Sequence, residues 1–251
     1  ERPLGVDPDG TNINDGCGAL HPENAGRAVR ETGADLGVSL DGDADRVIFT
    51  DASGATVSGD RILALCALAL ADEGRLRNRT MACTLMSNLG LHEAMRRAGV
   101  SVVTTPVSDR HVIEALRAGG HSFGGENSGH LIFADHATTG DGIMSALQVL
   151  RFMRRKGATL ADLAACMDEY PQKLINLRVA SRRPLKELSR LQERIREADA
   201  SFGTDGRHLI RYSGTESKLR ILVEHRDATE ADRWSQAFAK AVEQDFSEVS
   251  A

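Results

Sequence analysis

The chain has 251 residues, of which 41% are hydrophobic and 27% are charged, and its formal net charge is -5. This composition is ordinary for a globular protein, and an acidic balance with only 4% aromatic residues excludes a basic or base-stacking surface for nucleic acid. The longest apolar run, Ile62–Ala71, is too short to span a bilayer, so we expect no membrane partner. The four cysteines show no C-x-x-C spacing and no signal peptide is recognisable, which indicates a reducing, cytoplasmic location.

The first two thirds of the chain predict a mixed α/β fold. A helix at Glu23–Thr32 precedes two short strands, Leu36–Leu40 and Val47–Thr50, which flank an acidic loop. From Gly59 onward helices and strands alternate, as is typical of βαβ units around a mostly parallel sheet. The predicted helices are Asp60–Asp72, Leu91–Ala98, Asp109–Ala118, Asp141–Arg155 and Leu160–Met167, and the predicted strands are Met81–Leu85, Ser101–Thr104 and one around His121–Phe123.

The segment Asp168–Lys173 indicates a domain boundary, because the order of elements changes after it. The pattern then predicts, in order, a strand at Leu174–Val179, a helix at Pro184–Ala198, strands at His208–Arg211 and Leu219–Val223, and a helix at Glu230–Asp245. The predicted fold class is therefore α/β followed by a small α+β C-terminal domain. We expect three parts, residues 1–57, 58–168 and 169–251.

The acidic loop reads DGDADR, with Asp41, Asp43 and Asp45 at alternate positions and Arg46 directly after them. Carboxylates at this spacing suit a hard divalent cation with oxygen ligands. An EF-hand is excluded, because Arg46 and Ala52 stand where its loop needs Gly and Glu. A phosphatase of the haloacid-dehalogenase type stays open, as does a solvated acidic turn. Arg46 beside the acids favours phosphoryl transfer, in which a cation and an arginine share the developing charge.

The second candidate site is GGENSGH, Gly124–His130. Glu126, Asn127 and Ser128 offer a carboxylate, an amide and a hydroxyl, and a carboxylate can accept hydrogen bonds from two neighbouring sugar hydroxyls. This pattern indicates polyol recognition, with an ordinary glycine-rich turn as the alternative. His130 is a candidate general acid or base, or a structural histidine.

The third candidate site is RYSGTESKLR between the last two predicted strands. Hydroxyls and clustered backbone N–H groups can bind an anion, and flanking guanidinium groups match phosphate in bidentate fashion. We expect a clamp for a non-reacting phosphate; the alternative is a charged hairpin turn. Its candidate binding residues are Arg211, Ser213, Gly214, Thr215 and Arg220, and Lys218 adds charge.

Together these three motifs resemble those of the α-D-phosphohexomutase superfamily, over nearly the whole chain. Within it, GTNINDGCG, TLMSNLGL and DHATTGDGIMSALQVL are most similar to the bacterial phosphoglucosamine mutases. The departures are small: Asn127 stands where Gln is common, Ser217 where Pro is common, and SDRH at Ser108–His111 where GDRY is common.

The resemblance implies Mg²⁺ bound by Asp41, Asp43 and Asp45, and Arg46 facing the reacting phosphoryl group. It implies sugar hydroxyls bound by Glu126 and Ser128, and the other phosphate bound by the clamp. The implied reaction interconverts glucosamine 6-phosphate and glucosamine 1-phosphate through a phosphoserine and a bisphosphate intermediate. That reaction feeds synthesis of UDP-N-acetylglucosamine and of the cell wall.

The serine motif of the superfamily, similar to T-A-S-H-N-P, does not occur in these 251 residues. We therefore expect a C-terminal fragment that partners a missing N-terminal domain and is inactive alone. The alternatives are a phosphomannomutase or phosphoglucomutase of the same superfamily, a Mg²⁺-dependent sugar-phosphate phosphatase, and a non-catalytic binding module.

Overall fold

The computed structural model describes residues 1–214 and 216–247, and the chain divides into two compact units after Asp168. The helices of the first unit are α1 (Pro22–Thr32), α2 (Gly59–Asp72), α3 (Leu89–Arg97), α4 (Asp109–Gly119), α5 (Gly142–Lys156) and α6 (Leu160–Ala164). Its strands are β1 (Leu36–Leu40), β2 (Val47–Asp51), β3 (Thr56–Val57), β4 (Thr80–Thr84), β5 (Ser101–Thr105), β6 (Phe123–Gly125) and β7 (Leu131–Phe133). The second unit contains β8 (Gln172–Arg178), α7 (Ser189–Phe202), β9 (Gly206–Tyr212), β10 (Lys218–His225) and α8 (Ala228–Ser247).

The first sheet of unit one is an antiparallel hairpin, β1–β2, with β3 added at its edge. Its register pairs Leu40 with Val47, so residues 41–46 form the loop at the end of the hairpin. Phe49 faces the core and is fully buried. The hairpin thus anchors both ends of the acidic loop.

The second sheet has the strand order β5-β4-β6-β7. The first three strands are parallel, as expected for βαβ units, and β7 returns antiparallel to β6. Helix α2 contributes more residues to the core beneath the sheet than any other single helix, and its apolar side chains extend around nearly its whole surface, as burial on several sides requires. The turn between β6 and β7 is the GGENSGH segment, which therefore lies at the carboxyl end of β6.

Some predicted bounds were wrong. The strand expected at His121–Phe123 lies two residues later, and β7 was not predicted at all. Helix α6 ends at Ala164 rather than Met167, and Pro184 precedes a 3₁₀ turn at Leu185–Glu187, so that α7 begins only at Ser189. The expected division between residues 57 and 58 stays a prediction.

The second unit is a three-stranded antiparallel sheet of order β8-β10-β9 with α7 and α8 on one face. Alternate residues of β10, Leu219, Ile221 and Val223, are fully buried against the helices, as a strand with one covered face requires. Trp234 and Phe238 of α8 pack in the same core. The α/β and α+β fold class expected from the sequence is confirmed. Among the described residues, no helix has the length and apolar character needed to cross a membrane.

Candidate active site

The acidic loop holds three carboxylates close together. One ligand oxygen from each of Asp41, Asp43 and Asp45 lies within 4.8 Å of those of the other two. The loop closes on itself because the Ala44 amide donates to the Asp41 carbonyl (3.1 Å) and the Arg46 amide donates to Asp41 Oδ1 (3.0 Å). Ala44 adopts a left-handed φ of 58°, which turns the chain back between the second and third acids.

The electrostatics of the loop favour a cation. Partial burial raises the pKa of Asp45 above its ordinary value, and the carboxyls of Asp41 and Asp43 raise it further, although His130 opposes them. The Arg46 guanidinium offsets the repulsion only weakly, since its Nε lies 3.8 Å from Asp41 and 3.9 Å from Asp45, and the side chain is 49% exposed. A divalent ion would relieve this repulsion more effectively than the arginine does.

The Gly124–His130 segment brings a buried carboxylate and an exposed hydroxyl together. Glu126 is 9% exposed; its Oε1 accepts from the Ser108 amide (3.1 Å), and its Oε2 lies 3.5 Å from the Ser128 hydroxyl. The Asn127 side chain instead donates to the Met86 carbonyl at 3.3 Å, which fixes the loop against the start of α3. Glu126 and Ser128 are therefore the pair best placed to meet a polyol.

The acidic loop and the Gly124–His130 segment, called the sugar loop after its predicted ligand, are joined directly. The Val47 amide donates to the Gly129 carbonyl at 3.0 Å, and Arg46 and His130 form an isolated antiparallel bridge. His130 is 2% exposed, and its Nδ1 lies 3.1 Å from Asp45 Oδ2. Its Nε2 is buried and has no hydrogen-bond partner in the described parts of the chain. This link could not be predicted from local sequence, because its two ends are far apart along the chain.

The turn before α4 contacts the same region. Ser108 has a φ of 141°, a conformation that side chains rarely adopt, and its hydroxyl donates to Asp109 rather than capping α4. The pKa of Asp109 is lowered, first by the backbone N–H of Arg110 and then by Ser108 and the charges of His130 and Arg46. The side chain of Asp109 therefore lies within electrostatic reach of both loops.

The third motif lies in the second unit. Arg211 of β9 and Arg220 of β10 are directly opposite one another in the antiparallel register. Ser213 is 2% exposed, and its hydroxyl accepts from the Glu216 amide at 3.3 Å and lies 3.5 Å from Arg220 Nη2. The predicted binding residue Thr215 lies outside the described residues.

This arrangement of Arg211 and Arg220, called here the arginine pair, is costly without an anion. Like charges directly opposite on neighbouring strands destabilise a sheet. In the structure the carboxylate of Glu216 lies 3.3 Å from Arg220 Nη2, and it also lies 2.6 Å from the neighbouring Lys218 Nζ. The Nε of Arg220 is buried with no partner among the residues described. Arg220 thus retains a donor that could bind an anion.

Comparison with known proteins gives two family matches that together cover most of the chain. Residues 58–170 match the phosphoglucomutase/phosphomannomutase alpha/beta/alpha domain III, and residues 174–241 match the phosphoglucomutase/phosphomannomutase C-terminal domain. A phosphoglucosamine mutase of Geobacter sp. (strain M21) is 51% identical over 241 residues, which are 96% of this chain and 53% of that relative. One of Anaeromyxobacter dehalogenans is 50% identical over 242 residues, with 96% and 53% covered. The chain spans about half the length of the curated relatives it matches.

Solved structures agree in fold. Two structures of Aspergillus fumigatus N-acetylphosphoglucosamine mutase each cover 96% of this chain. The one in complex with GlcNAc-6P and magnesium has a TM-score of 0.75 at 24% identity, with 55% of its own length covered. The other has a TM-score of 0.76 at 25% identity, with 54% of its length covered. A phosphoglucomutase/phosphomannomutase family protein from Burkholderia thailandensis has a TM-score of 0.73 at 22% identity, with 90% of this chain and 51% of that one covered. With the two family matches, these findings show that the chain belongs to the phosphoglucomutase/phosphomannomutase family of the α-D-phosphohexomutase superfamily.

Proposed function

We propose that this chain carries the metal, sugar and phosphate contacts of a phosphoglucosamine mutase, which interconverts glucosamine 6-phosphate and glucosamine 1-phosphate. The observation that carries the proposal is the direct link between the acidic loop and the sugar loop through Val47, Gly129, Asp45 and His130. Curated relatives at 51% and 50% identity bear this name, which supports the hexosamine as substrate.

In the proposed reaction a phosphoserine gives its phosphoryl group to the sugar phosphate, the bisphosphate turns round, and the other phosphoryl group returns to the serine. The serine motif is not among these 251 residues, so they act on a phosphoryl group that another segment carries. Arg46, 49% exposed and next to the acids, is free to approach that group. His130 holds Asp45 through Nδ1, which leaves Nε2 as its atom for proton transfer.

Mg²⁺ fits the acidic loop. Oxygen ligands at about 2.1 Å from an octahedral ion lie about 3.0 Å apart when they are neighbours and about 4.2 Å apart when they are opposite. Because the oxygens of Asp41, Asp43 and Asp45 all lie within 4.8 Å of one another, shifts of up to about 2 Å would bring them onto one ion. A bound Mg²⁺ would supply positive charge that polarises the phosphoserine and stabilises the transferring phosphoryl group. A related structure was solved with magnesium, which supports this assignment.

The substrate contacts follow from the same geometry. The buried carboxylate of Glu126 is fixed by the Ser108 amide and can accept from sugar hydroxyls beside Ser128, while Asn127 maintains the loop through Met86. Related proteins were solved with GlcNAc-6P and with glucose 1,6-bisphosphate, which supports a phosphorylated hexose and a bisphosphate as ligands here.

The phosphate that is not transferring would bind at the arginine pair with Ser213, Gly214 and Thr215. A phosphate between the two guanidinium groups would replace like-charge repulsion by charge-assisted hydrogen bonds. Because the product is a precursor of UDP-N-acetylglucosamine and of the cell wall, we place the reaction in the cytoplasm. The N-terminal domain of the same protein would be the partner that provides the serine.

The metal assignment is tested by titrating the chain with Mn²⁺, followed by electron paramagnetic resonance, and competing with Mg²⁺. Asp43→Asn removes the most exposed of the three ligands and should weaken binding by about tenfold or more, as expected for loss of a charged ligand. Asp15→Asn, an exposed acid outside the loop, is the matched control and should leave binding unchanged. Equal affinity of the Asp43 variant and the wild type would contradict the assignment.

The substrate is tested by calorimetry with glucosamine 6-phosphate, glucose 6-phosphate and mannose 6-phosphate. Tightest binding of the glucosamine compound supports the proposal, and a preference for mannose 6-phosphate would support a phosphomannomutase. Turnover of glucosamine 6-phosphate by the 251 residues with added bisphosphate should be absent. Rapid turnover would show that the phosphoserine is not required.

A further inference from the structure

Arg182 contacts the phosphate-binding loop of the second unit without belonging to its motif. It lies between β8 and the 3₁₀ turn at Leu185. Its Nη2 donates to two successive backbone carbonyls, those of Ser213 at 2.6 Å and Gly214 at 3.0 Å. A guanidinium group has five donors in a rigid plane and no acceptor, so this contact fixes the direction of both carbonyls.

The direction of these carbonyls determines where the neighbouring amides point. In a planar trans peptide the C=O and the following N–H point in opposite directions. With the Ser213 carbonyl turned toward Arg182, the Gly214 amide points away from it. Successive N–H groups that face the same way form a concavity that binds anions.

Arg182 also neutralises what would otherwise oppose an anion. A carbonyl oxygen turned toward the site would repel phosphate, and both carbonyls are engaged by a cation instead. The loop is held from the other side as well, because the Ser213 amide donates to the Lys218 carbonyl at 2.8 Å. The hydroxyl of Ser213, 2% exposed, is thereby kept beside Arg220.

We propose that Arg182 is a positioning residue that orients the Ser213–Gly214 backbone for anion binding without touching the phosphate itself. This rests on the proposed function in one respect, namely that phosphate is the ligand of the arginine pair.

The chain offers a matched control in the next residue. Arg183 carries the same charge, but its Nη1 donates to the Asp245 carbonyl at 2.6 Å and its guanidinium lies over the Phe246 ring. Arg182→Gln and Arg183→Gln therefore remove the same charge from adjacent positions, and only the first releases the loop. Arg182→Lys keeps the charge and loses the planar donor group.

The experiment has two readouts on the whole 251-residue chain. Calorimetry measures the affinity for inorganic phosphate and for glucosamine 6-phosphate, and hydrogen exchange of the Ser213 amide, which donates to the Lys218 carbonyl, is measured without ligand. We expect Arg182→Gln to weaken binding about tenfold or more, the value for one hydrogen bond that involves a charged group. It should also speed exchange of the Ser213 amide. Arg183→Gln should change the affinity by less than about twofold and should leave the exchange rate of the same amide unchanged. Arg182→Lys should recover part of the affinity. Circular dichroism checks that each variant is folded.

The possible failures are distinguishable. Equal losses in the Arg182→Gln and Arg183→Gln variants, with unchanged Ser213 exchange, would overturn the positioning role and leave Arg182 as a remote charge. Failure of the wild type to bind phosphate, with Arg211→Gln behaving identically, would overturn the phosphate clamp and with it the ligand of this inference.

Discussion

Replacing Gly129 by alanine tests the junction between the acidic loop and the sugar loop. Gly129 has a φ of +91°, and a Cβ built there would lie 2.4 Å from the Val47 carbonyl oxygen and 3.1 Å from Ile48 Cδ1. The nearer atom belongs to the backbone of a paired strand and cannot move without disturbing β2. The substitution should therefore push apart the two segments that the Val47–Gly129 hydrogen bond joins.

The magnitude follows from two costs. A side chain at this φ costs about 1–3 kcal/mol in backbone strain. Forcing an extra methyl group into a packed site costs about another 1–3 kcal/mol. Gly157 is the control: it also has a positive φ, +61°, but a Cβ there would meet nothing within 4 Å. Gly157→Ala should cost only the strain of a left-handed residue, about 1–2 kcal/mol.

The assay is urea unfolding followed by far-UV circular dichroism, with amide hydrogen exchange of β2. The only tryptophan, Trp234, lies in the second unit, so its fluorescence reports that unit separately. We expect the free energy of unfolding to fall more for Gly129→Ala than for Gly157→Ala, and the Val47 amide to exchange faster only in the former. Mn²⁺ affinity should fall with it. Equal destabilisation by the two substitutions, with unchanged Val47 exchange, would refute the close approach of the loops.

Three further predictions concern single side chains. Partial burial raises the pKa of Asp51, but hydrogen bonds in the β2–β3 turn lower it more. The ionised carboxylate therefore stabilises the folded state above the unfolded-state pKa, and this contribution is lost as the pH falls through the lowered native pKa. Asp51→Asn should therefore lower stability to urea by about 1–2 kcal/mol at neutral pH; a difference that persisted unchanged at strongly acid pH would contradict this. Burial raises the pKa of Cys166 to about 11, so a thiol reagent at neutral pH should label Cys17 before Cys166. Mass spectrometry of timed samples measures the order, and simultaneous labelling of the two thiols would contradict the prediction. Glu216→Gln removes an internal anion 3.3 Å from Arg220 and should tighten phosphate binding a few-fold by calorimetry, whereas weaker binding would mean that the carboxylate positions the cations.

The elements with strong periodicity could be predicted from the sequence. Strand β1 has the bounds expected, and α2 differs by one residue, because apolar side chains and the Ser58 cap define them locally. Strand β7 could not be predicted, since it has only three residues and exists because β6 pairs with it. In such a short segment the neighbouring strand, and not local propensity, decides the conformation.

The candidate site shows the same contrast between features set by local sequence and features set by contacts with distant segments. Residue type and spacing revealed the cluster at Asp41, which the structure forms. They could not reveal the backbone conformation of Ser108, because a residue at that φ is held there by contacts such as the hydrogen bond that its backbone amide donates to the Glu126 carboxylate. Arg182 was also missed, since it lies outside every motif and acts through the carbonyls of a distant loop.

The arrangement around the acidic loop explains how three repelling carboxylates are held together. The loop's own hydrogen bonds are few, and it is enclosed by segments that approach it closely at glycine. A Cβ on Gly142 would lie 2.7 Å from the Arg46 carbonyl oxygen, and one on Gly140 would lie 2.4 Å from the His130 ring. The Gly142 amide also donates to the Ala44 carbonyl at 2.8 Å. Because the first turn of α5 and the sugar loop hold this geometry, a metal ion would not have to order the loop on binding, and the affinity should depend on these glycines as well as on the ligands.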